Sequence, residues 1–348
     1  MESLPAMPPS LNPRVVELPL RHAWTIARGT STSKRNVIVE LRSGEHVGMG
    51  EAAPNVRYQE SAETVLEALL TLTPVALGQD LRWFRDISEE LQNALPGNGA
   101  AKAAVDIALH DLAGKALGVP LYRMFGVDPE RMPITSFSIG IDDPETLARK
   151  VREAEPYPVL KVKLGAERVR EVFGAVRAAT SKVVRVDANE AWRPEEALEH
   201  IEWLATQGVE LVEQPLPAAD VEGAKWLRAR SPLPLVADEA LIHASDVPKL
   251  AEGYHGINVK LQKAGGIRES LRIIDVARAC GLKVMIGCMV ETSVGIAAAA
   301  HLGPLADWLD LDGNLLISED PFHGHPVVEG RIQLGAGPGL GVEPRTRA

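Results

Sequence analysis

Five charged residues stand where short runs of β-branched and aliphatic residues stop. Lys163 ends Val159-Leu-Lys-Val-Lys, Asp187 ends Val183-Val-Arg-Val-Asp, and Glu213 ends Val209-Glu-Leu-Val-Glu. Asp238 ends Pro234-Leu-Val-Ala-Asp, and Lys260 ends Gly256-Ile-Asn-Val-Lys. Such runs predict strands buried on both faces. The three carboxylates are roughly 25 residues apart, the length of one strand, one helix and two loops. A right-handed crossover returns each strand parallel to the last, so the strand ends gather on one side. Three carboxylates gathered there require a cation. Oxygen donors without His or Cys favour Mg²⁺ over Zn²⁺.

Two lysines facing each other across such a cation suit one reaction type. One lysine removes the proton α to a metal-bound carboxylate, and the metal stabilises the enediolate. The other lysine returns a proton on the opposite face and inverts the carbon. Lys163 and Lys260 are the catalytic candidates, and Asp187, Glu213 and Asp238 the metal ligands. Each lysine needs a depressed pKa, which a neighbouring ammonium and the Mg²⁺ would supply. Lys161, on the same strand face as Lys163, is expected as that neighbour and as a contact for the substrate carboxylate.

Positioning these residues takes a ring of strands. From Met132 onward, strand-like runs alternate with helix-like ones. The runs are 133–139, 159–163, 183–187, 209–213, 234–238, 256–260, 283–287 and 308–311. Helical spacing fills intervals such as 168–180, 194–207 and 267–279. Eight units predict an α/β fold, a modified (β/α)8 TIM-type barrel over 131–320 with its site on the C-terminal rim. Residues 13–130 read differently, as strands (14–19, 36–41) followed by helices (61–77, 81–95, 99–117). This predicts an α+β capping domain. Within it, 22–34 reads as a Gly/Ser/Thr-rich loop and Gly48-Met-Gly-Glu51 as a turn. Residues 1–12 are expected to form a flexible Pro-rich tail. Residues 321–348 are expected to return to the capping domain and complete it.

Composition bounds the setting. The chain has 348 residues, 45% hydrophobic and 24% charged, with a net charge of −10. Without a basic run, nucleic acid and anionic membrane are not expected partners. The first residues lack a basic and then apolar leader, so no signal peptide is expected. Two cysteines, Cys280 and Cys288, make no disulfide framework and read as small buried hydrophobes. A cytoplasmic enzyme is the expectation.

The motifs together resemble the enolase superfamily, in its muconate-lactonizing subgroup, over nearly the whole chain. They are Gly48-Met-Gly-Glu51, the helix from Ala103 to Gly118, Lys161-x-Lys163, Asp187-Ala-Asn189, Glu213-Gln-Pro215, Asp238-Glu239 and Lys260-x-x-Lys263-x-Gly-Gly266. The resemblance implies one Mg²⁺ per subunit and lysine acid/base chemistry, with Asn189 and Lys263 supporting the ligands. Two further features resemble one branch, the dipeptide epimerases. Asp310-Leu-Asp312 would bind a substrate α-ammonium, and Arg28, in Ile26-Ala-Arg28-Gly, would read a side chain. Arg57 is the rival reader.

The expected activity is epimerisation of a small dipeptide at its C-terminal residue, with L-Ala-D/L-Glu as the expected substrate. Muconate cycloisomerases and o-succinylbenzoate synthase/N-succinylamino acid racemases share the lysines and ligands, but their substrates carry no ammonium for Asp310 and Asp312. A non-catalytic binding protein would not need both lysines and all three ligands. Assembly as a homo-oligomer is left open by the sequence.

Overall fold

In the computed structural model, which describes residues 8–345, the chain opens on an antiparallel sheet. Its strands are β1 (Ser10–Ile26), β2 (Gly29–Ser43) and β3 (His46–Ala52). Two expectations fail here. Ser10 to Asn12 are paired strand, opposite Arg42 to Glu40, and not tail; residues 1–7 lie outside the described residues. The stretch 22–34 is a hairpin arm, with Trp24 opposite Ser31 and Ile26 opposite Gly29. The arm is exposed or half-buried on both faces, so its sequence lacks the alternation that marks a strand with one buried side.

Gly48 and Gly50 are also strand rather than turn. They face the helix Gly99–Leu117, whose alanines at 100, 101, 103, 104 and 108 are all buried. A Cβ at Gly50 would run into the Ala104 carbonyl, and one at Gly48 into the Ala108 carbonyl. The glycines therefore set how closely sheet and helix approach. Gly50→Ala is expected to cost about 1–3 kcal/mol, as overpacking does. An unchanged urea midpoint would contradict this close approach. Of two more helices, Ala62–Leu77 packs on β1 and β2 and Phe84–Ala94 packs against the other two helices; the first is begun by a capping box between Ser61 and Thr64.

Eight parallel strands follow in chain order around one sheet. They are β4 (Phe137–Ile139), β5 (Val159–Lys163), β6 (Val183–Asp187), β7 (Val209–Glu213), β8 (Leu235–Ala237), β9 (Gly256–Val259), β10 (Lys283–Gly287) and β11 (Trp308–Asp310). A bridge between Thr135 and Leu309 joins the two ends and closes the barrel. Helices connect the strands, among them Val169–Ala179, Pro194–Thr206 and Ile267–Ala279. Proline opens the second of these, where its missing N–H costs nothing. All five residues of β5 are buried. Leu160 and Val162 join the main apolar core, so the alternation of a strand sends Lys161 and Lys163 to the other face. Leu211 and Val236 precede Glu213 and Asp238 by two positions, and pack with Met285 and Trp308. This apolar layer lies beneath the carboxylates.

Beyond Pro321, Gly330 accepts from Thr135 N beside the first barrel strand, and the stretch Gly339–Leu340 reaches the capping domain. Asp111 on the helix Gly99–Leu117 accepts from Leu340 N at 2.7 Å and from Met49 N at 2.7 Å. One buried carboxylate thus ties the returning segment to β3. Glu51, at the end of β3, spans the other boundary. It accepts from Asn36 Nδ2 (2.8 Å), Thr292 Oγ1 (2.6 Å) and Gly295 N (2.9 Å) at the start of the barrel helix Ser293–Ala300. A carboxylate suits that position because a helix N-terminus carries unpaired N–H groups.

Candidate active site

Parallel pairing lines up the charged strand ends. Lys163 is in register with Asp187, and Asp187 with Glu213. Asp238 follows the end of β8, and Lys260 follows the end of β9. One carboxylate oxygen from each of Asp187, Glu213 and Asp238 lies within 4.8 Å of the other two, and all three residues are buried. Lys163 Nζ donates to Asp187 Oδ2 at 2.5 Å, and Lys260 Nζ donates to Asp238 Oδ2 at 2.7 Å. The two lysines, on the second and sixth strands of the ring, meet the cluster from opposite sides.

The supporting contacts are dense. Lys263 Nζ donates to Asp238 Oδ1 at 2.6 Å. Asn189 N donates to Asp187 Oδ1 at 2.9 Å, and its side chain donates to Glu239 Oε1 at 3.2 Å. Asn258 Nδ2 donates to Glu213 Oε1 at 3.0 Å. Lys161 Nζ lies 2.7 Å from Glu213 Oε2, 2.6 Å from Asp310 Oδ2 and 3.3 Å from Asp187 Oδ2. Glu213 Oε2 accepts no well-aligned hydrogen bond despite that proximity.

These positions test whether a divalent cation fits. Burial opposes charge at Asp187, but Lys163 and then Lys161 outweigh it and hold the carboxyl below the usual range. Asp238 is likewise held down against burial by Lys260 and Lys263. Glu213 is the exception: burial, then the charge of Asp187, push it up to about 8. The third carboxylate is thus short of positive charge. Three converging hard oxygens with one under-compensated group fit Mg²⁺.

The chain's own groups do not supply the depression that Lys260 needs as a base. Burial lowers its pKa, but Asp238, followed by Glu213 and Glu239, raises it above the ordinary lysine value. The chain's own charges therefore hold the proton on Lys260. Any depression has to come from charge brought into the site.

A cavity of about 340 Å³ opens above the cluster. Its lining includes Arg28, Asn189, Lys163, Lys260, Asp310 and Asp312. Lys161 is fully buried beneath it and does not line it; this lysine contacts carboxylates only. A neighbouring cavity of about 520 Å³ holds neither catalytic candidate and none of the three carboxylates.

Asp310 accepts from Ser136 Oγ at 2.7 Å as well as from Lys161. Asp312 accepts from Ser138 N at 2.6 Å, and burial, then the charge of Asp310, push its carboxyl up to about 7. Arg28 is tied down: its Nη1 lies 2.8 Å from Glu239 Oε1 and 3.4 Å from Glu190 Oε2. Arg57 makes a two-point contact with Glu190 at 2.8 and 3.0 Å and does not line the cavity.

Strand alternation would send Glu239 to the face opposite Asp238, or into the loop, and it is not one of the three converging carboxylates. The strand ends at Ala237, so the alternation no longer governs Glu239, which is buried against Asn189 and Arg28. Nor are both cysteines buried. Cys280 is exposed, and Cys288 is half-buried at the cavity wall. Asn258 and Ser136 carried no signal beyond their places in strand-like runs.

Comparison with known proteins agrees with this geometry. Residues 12–126 match the family described as mandelate racemase / muconate lactonizing enzyme, N-terminal domain. Residues 144–348 match the family described as enolase C-terminal domain-like. The L-Ala-D/L-Glu epimerase of Bacteroides thetaiotaomicron is 42% identical over 94% of this chain and 85% of its own length. The L-Ala-D/L-amino acid epimerase of Pedosphaera parvula is 45% identical over 95% of this chain and 98% of its own. The crystal structure of the dipeptide epimerase of Enterococcus faecalis, complexed with Mg and L-Leu-L-Tyr, superimposes with a TM-score of 0.90 at 34% identity. That match covers 95% of this chain and 98% of the other. With both of its domains matched and its acidic triad framed by two lysines, the chain belongs to the mandelate racemase / muconate lactonizing enzyme family, in its dipeptide epimerase branch.

Proposed function

We propose that the protein is a Mg²⁺-dependent isomerase that epimerises dipeptides at the α-carbon of the C-terminal residue, with L-Ala-D/L-Glu as substrate. The observation that carries the reading is the approach of Lys163 and Lys260 to one acidic triad from opposite sides. Asp187, Glu213 and Asp238 would hold the ion. When bound, Mg²⁺ supplies positive charge to the substrate carboxylate and to the negative charge that grows there as the α-proton leaves. Lys163 and Lys260 each serve one face of the α-carbon, one accepting the proton and the other donating its replacement. Lys161 keeps Asp187, Glu213 and Asp310 compatible with one another from below.

The amino end of the dipeptide is assigned to Asp310 and Asp312. Lys161 already pairs with Asp310, whereas Asp312 has no cationic partner among the described residues. An N-succinylated or lactone substrate would leave Asp312 unmatched. N-acetylation of L-Ala-L-Glu is therefore expected to cost about 2–5 kcal/mol in kcat/KM, the loss typical of one partner in a desolvated charge pair. Below pH about 7 Asp312 becomes protonated and loses its charge. For the free dipeptide, kcat/KM should then fall as pH drops through that value, with a shallower fall for the acetylated one. Equal rates and identical acid limbs for the two substrates would favour an N-acylamino acid racemase.

The assigned setting is cytoplasmic. Support comes from two cysteines that form no disulfide. Among the described residues, no helix is long and apolar enough to cross a membrane.

A further inference from the structure

Four cations line the cavity above the triad: Arg28, Lys34, Lys163 and Lys260. Three are already matched, Lys163 with Asp187, Lys260 with Asp238, and Arg28 with Glu239. Lys34 makes no ion pair or side-chain hydrogen bond among the described residues. It is half-buried, and burial alone moves its ammonium below the usual lysine range, with no carboxylate offsetting the loss of water.

Strand geometry explains its aim. Lys34 and Asn36 lie two apart on β2 and share a face. Asn36 Nδ2 donates to Val290 O at 3.0 Å, so that face looks onto the loop after β10 at the barrel mouth. Arg35, between them, points away and pairs with Glu63. The cavity therefore offers one unmatched anion, Asp312, and one unmatched cation, Lys34.

We propose that Lys34 is the residue that reads a side-chain carboxylate of the substrate, and that Arg28 serves instead to hold Glu239 and the 189–190 loop in place. A desolvated ammonium gains from a carboxylate that restores its partner, whereas Arg28 would first have to release Glu239. The inference rests on the dipeptide reading above and narrows it to dipeptides with an acidic side chain. The cavity does not distinguish an acidic first residue from an acidic second one, so both are included in the test.

The experiment compares kcat/KM for L-Ala-L-Glu with L-Ala-L-Gln, and for L-Glu-L-Ala with L-Gln-L-Ala. It uses the wild type, Lys34→Met, Lys34→Arg and Arg28→Met. In Lys34→Met the acidic-over-amide ratio should fall by about tenfold to a hundredfold for one pair, which names the position read. Lys34→Arg should restore most of that ratio. An unchanged ratio in Lys34→Met, with the wild type active, overturns the assignment of Lys34. A fall confined to Arg28→Met does the same and returns the role to the arginine. A wild type inert on all four dipeptides but active on L-Leu-L-Tyr or L-Arg-L-Lys overturns this inference and leaves the dipeptide reading standing; one inert on those as well overturns both.

Discussion

Lys260→Ala is expected to stop epimerisation in both directions, and so is Lys163→Ala. Inversion takes one group to remove a proton and another to supply one on the opposite face. The reverse reaction uses the same two groups with their roles exchanged, so losing either blocks both directions. The expected fall in kcat is about 10²–10⁴-fold for each variant, the usual worth of a positioned acid or base. Each single variant should still exchange the α-proton of one diastereomer with solvent, because the remaining lysine keeps its own face. The two variants should differ in which diastereomer that is. Normal epimerisation by Lys260→Ala would remove it from the acid/base pair.

Removal of the metal has the other large effect. Chelation with EDTA is expected to lower activity by about 10³-fold or more, and Mg²⁺ to restore it. A structural readout accompanies the kinetic one. A ligand at a hundred times its dissociation constant stabilises the fold by about 2.7 kcal/mol. Mg²⁺ should therefore raise the melting temperature of the wild type. Glu213→Gln should lose most of that rise along with turnover, since it removes charge from the buried triad at the residue that burial already pushes up to about 8. Full activity after exhaustive chelation would contradict the assignment of the triad as a metal site.

Much of the site could be read from the sequence because a buried parallel strand advertises its end. In Val183-Val-Arg-Val-Asp the β-branched run stops at a carboxylate, and Asp187 sits on the rim of the barrel. The helix Ile267–Ala279 was equally plain, since its apolar positions repeat at helical spacing and Gly265-Gly266 precede it. The hairpin arm to Lys34 was not plain. A strand exposed on both faces has no alternation to show, and its threonines and serines look like a loop. Gly48 and Gly50 looked like a turn because glycine usually marks one; here it makes room for a helix backbone. The pairing of Glu239 with Arg28 was not legible, because strand alternation says nothing of a residue past the end of its strand. The groups that surround Lys260 were hidden for a different reason. A lysine's neighbours in sequence do not reveal that Asp238, Glu213 and Glu239 converge on it in space.

The central claim is that two lysines exchange the α-proton of a dipeptide across a Mg²⁺-binding triad. Its most direct test is incubation of L-Ala-L-Glu with the Mg²⁺-loaded wild type in D₂O, followed by NMR. The account predicts loss of the α-proton signal of the Glu residue and matching growth of the L-Ala-D-Glu diastereomer carrying deuterium there, with the Ala α-proton retained. Retention of the Glu α-proton with no second diastereomer, on a dipeptide that demonstrably binds, would contradict it.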